Sequence, residues 1–166
     1  MEKTITILVF LLISIFNLSC DKEDASYFEC PEAEPFCFEQ EGLLWSGIVE
    51  SRMDMEQATE YCKDMGGRLP KISELRKLII KCDNTKTSGA CGVKESCLEI
   101  ECWNPECSGC KWSDSGRYSV FKDTDCFWSS SFDKNDPDYG WGICFGNSYI
   151  VSHDKTDLNH VRCVSL

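Results

Sequence analysis

Several things are scarce in this chain. Of its 166 residues only two are histidine, His153 and His160. Neither sits in a GxSxG, HExxH or other catalytic frame, so no enzyme and no cofactor is expected. Lys and Arg number 17 against 28 Asp and Glu, a formal net charge of -11. That balance leaves no overall basic face for a phosphate backbone, and no nucleic-acid partner is expected. No internal repeat of roughly 20 to 50 residues is present. The long apolar run is Ile5 to Phe16, only 12 residues, where a bilayer core needs about 20. Aromatics at 11% and apolar residues at 42% are nonetheless too many for a disordered acidic tail. One domain fits this length.

Cysteine, by contrast, is abundant: there are 13. Thiols pair in an oxidising compartment, so an odd count leaves one over. The apolar run has the length of a signal-peptide core, although Glu2 offsets Lys3 before it. It ends in Asn17, Leu18, Ser19 and Cys20, and polar Asp21 to Asp24 follow. This order resembles a bacterial lipobox, in which the Cys becomes the lipid-bearing N-terminus. The alternative is an ordinary secretory signal with Cys20 free or paired. Setting Cys20 aside leaves twelve cysteines, an even number that needs no stray thiol. The expectation is therefore a signal peptide at 1–19 and lipidation at Cys20. The exported chain is then held by lipid to the bacterial cell envelope, at the outer membrane or the cell surface.

Residues 20–41 are acidic and carry Pro31 and Pro35, which reads as a tether. Within it, either Cys30 and Cys37 close a small loop or one of them staples the tether to the domain. Leu43 to Gly47 reads as a strand. Asp54 and Gln57 form a capping-box pattern ahead of a helix. Met55, Ala58, Tyr61, Cys62 and Met65 lie on one face of that helix, and Gly66-Gly67 stops it. Arg68-Leu69-Pro70 is extended, and a second helix starts from Ser73 as N-cap. Residues 82–117 carry Cys82, Cys91, Cys97, Cys102, Cys107 and Cys110 with few aliphatics. This is a loop insertion that needs staples. Short strands follow at Tyr118–Phe121, Cys126–Ser131, Trp141–Phe145, Ser148–Ser152 and His160–Val164.

The motifs Ala58 to Ile79 (ATEYCKDMGGRLPKISELRKLI), Phe127 to Ser131 (FWSSS), Tyr139 to Tyr149 (YGWGICFGNSY) and Val161 to Val164 (VRCV) carry a resemblance. Over residues 42–166 the chain resembles the DUF1566 or Lcl C-terminal domain family, close to the major paralogous domain of Fibrobacter lipoproteins. The resemblance implies an α+β, C-type lectin-like fold. In it two helices pack on a small twisted antiparallel sheet that carries a disulfide-rich loop insertion. It also implies that a Cys on the first helix bonds one on the last strand, which puts Cys62 with Cys163. Cys126 and Cys144 are a weaker candidate pair between neighbouring strands. Cys82 with Cys91, and pairings among Cys97, Cys102, Cys107 and Cys110, stay open, because sequence does not fix connectivity.

Two further patterns admit metal chemistry. Cys107 and Cys110 have CxxC spacing, which suits zinc together with Cys97 and Cys102, or a redox dithiol. Structural disulfides are favoured over both in an exported chain. Asp133, Asn135, Asp136 and Asp138 place four oxygen-bearing side chains in six residues, a weak calcium candidate against the alternative of a solvated turn. Function is expected to be non-enzymatic binding or adhesion, with an extracellular glycan or protein as ligand. The collagen-like adhesin of the family implies sulfated glycosaminoglycans, but a domain of charge -11 repels a polyanion. The six cations between Lys77 and Arg117 that could offset this are scattered along the sequence. The alternative function is a structural envelope component with no soluble ligand.

Overall fold

The structure is a computed structural model that describes residues 30–31 and 34–166. Cys20 and the signal-peptide segment 1–19 lie outside the described residues, as does most of the segment read as a tether. The last part of that segment is strand. Phe36–Gln40 forms strand β1, antiparallel to β2 (Leu43–Ser46) with Phe38 opposite Trp45. Its acidic surroundings masked an alternation of Phe36 and Phe38, which is a strand pattern. Cys30 and Cys37 are bonded across the loop that leads into β1.

The next elements are β3 (Val49–Met53), α1 (Met55–Asp64) and α2 (Ile72–Lys77). After the insertion come β4 (Cys126–Phe132), β5 (Tyr139–Cys144), β6 (Tyr149–Asp154), β7 (Asn159–Val161) and β8 (Val164–Ser165). The architecture is α+β, with two sheets. One has the order β1-β2-β8 and the other β3-β7-β4-β5-β6. The larger sheet is not wholly antiparallel, because β4 and β7 run parallel with Phe127 beside His160. The expected single last strand is split. The chain leaves the larger sheet at Val161 and joins the smaller one at Val164, so Arg162 and Cys163 bridge the two. Tyr118–Phe121 is a series of turns with one bridge, Ile79 to Ser119. There the Ser119 hydroxyl accepts from Phe121 N and diverts the backbone from a ladder.

Helix α1 is defined by local chemistry. The Asp54 carboxylate accepts from Gln57 N at 2.8 Å, and the Gln57 side chain accepts from Asp54 N at 3.3 Å. Gly66 takes φ +83 at the helix exit. A Cβ at Gly67 would meet the Phe36 ring at 2.4 Å and Val164 O at 2.6 Å, so only glycine lets the chain pass between the two terminal strands. Helix α2 is capped two residues earlier than the expected Ser73. Lys71 is its N-cap residue, and the Glu74 carboxylate accepts from Lys71 N at 2.7 Å.

The two faces of the larger sheet are covered differently. Phe127, Trp141, Ile143 and Ile150 are fully buried in one cluster with Leu75 and Leu78 of the α2 segment and Val93 of the insertion. Trp128 points to the opposite face. It is buried there with Met55, Ala58 and Cys62 of α1, and with Val161 and Cys163. Gly140 and Gly142 keep that second face low. A Cβ at Gly140 would meet Met55 Sδ at 2.6 Å. The serines of FWSSS tie β4 to β5 and to the start of α2. The Ser129 hydroxyl donates to Trp141 O at 2.6 Å, Ser130 N donates to Pro70 O at 2.7 Å, and the Ser131 hydroxyl accepts from Ile72 N at 3.0 Å.

Arg68 and Glu74 close the RLPKISE turn with two hydrogen bonds of 2.7 and 2.8 Å. Burial alone would raise the Glu74 carboxyl, but the Arg68 side chain and the Lys71 backbone outweigh it and hold it below its ordinary value. A depressed folded-state pKa contributes stability above the unfolded value of 4.5, and that contribution is lost as pH falls through the folded value. Arg68 is 44% exposed, so solvent screening limits the pair to about 1 kcal/mol or less. Urea unfolding from pH 6 down to pH 3 is expected to show a steeper stability loss for the wild type than for Glu74→Gln. Parallel curves would remove this contribution.

Candidate binding surface

Six disulfides hold the described residues. Cys62 on α1 is bonded to Cys163 across a separation of 101 residues. Cys126 and Cys144 are bonded between β4 and β5, where they are direct partners in the ladder. In the insertion Cys82 pairs with Cys110, Cys91 with Cys107, and Cys97 with Cys102. Cys82 and Cys91 are therefore not partners. The two cysteines of the CxxC spacing go to different partners, so Cys107 and Cys110 form neither a redox pair nor half of a zinc site. So many cystines mark a chain that folds in an oxidising environment.

Inside this stapled insertion sits a cation that the sequence did not single out. Arg76 of α2 is 1% exposed and has no carboxylate partner among its hydrogen bonds. Its guanidinium donates to Thr85 O and Lys86 O, each at 2.8 Å, to Cys91 O at 3.4 Å, and to Val93 O. Burial lowers its pKa. A planar group with five donors can organise several carbonyls at once, and here it fixes the path of a segment with few apolar side chains. Arg76 thus works as scaffold for the insertion.

The acidic loop is not gathered around a common centre. Asp133 accepts from Asn135 N at 2.9 Å and Asp136 accepts from Asp138 N at 3.2 Å, so both close turns. The Asn135 side chain donates to Glu101 at 3.3 Å. Among the described residues, Asp133, Asp136 and Asp138 do not form a cluster of close ligand atoms.

A concavity of mixed polar and apolar lining lies elsewhere. A groove of about 650 Å³ runs between the start of α1, the end of β4 and the turn after β6. Phe132, the last residue of β4, forms one wall and is 46% exposed. Lys155 lies over its ring, with Nζ 4.8 Å from the centroid. Met55 floors the groove, and Glu56, Thr59 and Glu60 line the α1 side. The turn is fixed in place: Met55 N donates to Lys155 O, and Lys155 N donates to Asp138 O, both at 2.9 Å. The groove therefore offers an aromatic ring with one cation beside it, two exposed carboxylates and the three hydroxyls of Thr59, Ser130 and Thr156 on a rigid frame. Its residues come from three separate stretches, and only the period-2 pattern of FWSSSF, which puts Phe132 on the face of Trp128, hinted at it.

No protein-family model matches this chain, and no curated protein matches it. Among the described residues no helix is long and apolar enough to cross a membrane.

Proposed function

We propose that this chain is a non-enzymatic binding module of the bacterial cell surface, lipid-anchored at Cys20, that takes an uncharged glycan in the groove beside Phe132. The observation that carries this reading is the groove itself. A sugar ring stacks its apolar C–H face on an aromatic, and its hydroxyls donate to carboxylates. Phe132, Glu56 and Glu60 supply both kinds of contact. Loops on a rigid scaffold are where recognition residues usually lie, and the disulfides provide that rigidity. The carboxylates of the groove repel sulfated chains, in keeping with a net charge of -11.

The fold proposed with this function is C-type lectin-like, of the DUF1566 or Lcl C-terminal type. Two helices on a small sheet, a long irregular insertion and the Cys62–Cys163 bond support it. Lipid anchoring rests on the order of residues around Cys20 and on the even number of the remaining cysteines.

Screening the full chain on an array of neutral glycans tests the reading. The expected result is binding that Phe132→Ala weakens at least tenfold, with an unchanged melting curve. An array without signal, together with co-purifying envelope proteins, would instead favour a structural envelope component.

A further inference from the structure

The bond between Cys126 and Cys144 lies on the α1-side face of the larger sheet, and it has a neighbour that no other disulfide among the described residues has. A ring nitrogen of His153 and the two sulfurs all lie within 4.8 Å of one another. His153 belongs to β6, where it is paired with Gly140, and its Cδ2 would lie 3.8 Å from a Cβ at Gly142. The imidazole thus lies over the sheet in ordinary contact range of Gly142, whose close neighbour is Phe127 O, 2.7 Å from where a Cβ would sit. Trp128 packs against the ring edge-on, with centroids 5.8 Å apart.

The two nitrogens of His153 have different surroundings. Nδ1 lies 3.4 Å from the Asp157 carboxylate. Nε2 is buried and has no hydrogen-bond partner. A carboxylate behind one nitrogen orients the ring and leaves the lone pair on the other, which is how metal-ligating histidines are usually supported. A buried ring nitrogen without a partner is costly in a protein interior, and it calls for a ligand. The other close cluster, Cys97, Glu99 and Cys102, lacks this feature. Glu99 there is already engaged by Leu98 N at 3.1 Å and by Lys134 at 3.6 Å.

We propose that Cys126, Cys144 and His153 form a redox-gated site for a thiophilic divalent cation of the zinc class. It is closed while the disulfide stands and open to metal once a dithiol reduces it. In the opening step the Cys126–Cys144 S–S bond breaks. Two electrons and two protons pass from the dithiol, which leaves as its own disulfide, and two thiols form. Zn²⁺ then binds as both thiol protons go to solvent, with two Sγ atoms and His153 Nε2 as ligands. Zinc accepts this donor set, and a water completes a tetrahedral shell. Opening the bond leaves the fold standing, because Cys126 and Cys144 are already held opposite each other by the β4–β5 ladder, with Phe127 against Ile143 next in register.

Graded reduction of the full chain, with alkylation and peptide mapping at each stage, identifies the species in which Cys126 and Cys144 are free. Co²⁺ then serves as the probe, read by its thiolate charge-transfer band, while near-ultraviolet circular dichroism checks that Trp128 stays packed. The expected result is one Co²⁺ bound by the reduced wild type and displaced by Zn²⁺. Affinity falls at least tenfold in His153→Gln, and the band is absent in the Cys126→Ser, Cys144→Ser double variant. Equal Co²⁺ binding in all three proteins would overturn the proposal. So would a folded, reduced wild type without the band, or a Cys126–Cys144 bond that closes to reductant while every other disulfide opens.

Discussion

Replacing Cys62 with Ser is expected to lower the melting temperature by on the order of 10 °C or more. The bond to Cys163 spans 101 residues. In the chain-entropy model a loop of that length stabilises by about 4 to 5 kcal/mol. For a chain of this size each kcal/mol moves the midpoint by roughly 3 °C. The bond also anchors α1 to the point where the chain passes between the two sheets, and both sulfurs are fully buried beside Trp128. Thermal unfolding of Cys62→Ser and Cys163→Ser, each against the wild type, checks this. The two variants should agree with each other, since each removes the same bond. An unchanged melting curve in both would show that packing alone holds the helix to the last strands.

Arg162→Ala should be comparably severe, at about 3 to 5 kcal/mol, because it leaves a buried carboxylate without its partner. Arg162 Nε and Nη2 donate to the two oxygens of Asp123 at 3.0 and 2.7 Å, and Nη1 donates to Ser46 O at 2.8 Å. The two side chains are only 2% and 4% exposed. The guanidinium also lies 4.7 Å over the Phe121 ring. This cluster links β2, the turn before β4 and the crossing between β7 and β8. Arg162→Lys should recover little, since an ammonium cannot make the forked contact. The double variant Arg162→Met, Asp123→Leu should recover a large part, because it removes both buried charges. Chemical denaturation of the four proteins measures this. A loss for Arg162→Ala within the ~0.5 kcal/mol typical of surface changes would contradict it.

Legibility in the sequence followed the distance over which the determining contacts act. Helix α1 was readable because its cap, its buried face and its glycine stop lie within fourteen residues of one another. The strands from Cys126 onward were readable from alternation and turn residues. Strand β1 was not, because acidic neighbours outweighed two alternating phenylalanines. The break at Arg162–Cys163 was hidden, since each half of the segment reads as strand and only the tertiary arrangement sends them to different sheets. The same holds for the insertion. Its six cysteines announce staples, but which pairs form depends on how the loop folds around Arg76, whose partners are backbone carbonyls with no sequence signature. The groove beside Phe132 was least legible of all, since its walls come from α1, the end of β4 and the turn after β6.

The central claim is that the twelve cysteines from Cys30 to Cys163 all stand as cystines in the protein as isolated from an oxidising environment. Alkylation of the purified full chain in denaturant, before and after reduction, followed by intact mass measurement, tests it most directly. The expected result is no alkyl group before reduction and twelve after it, with Cys20 blocked by its lipid thioether. Two or more alkyl groups before reduction would contradict the claim and point to a thiol-based activity.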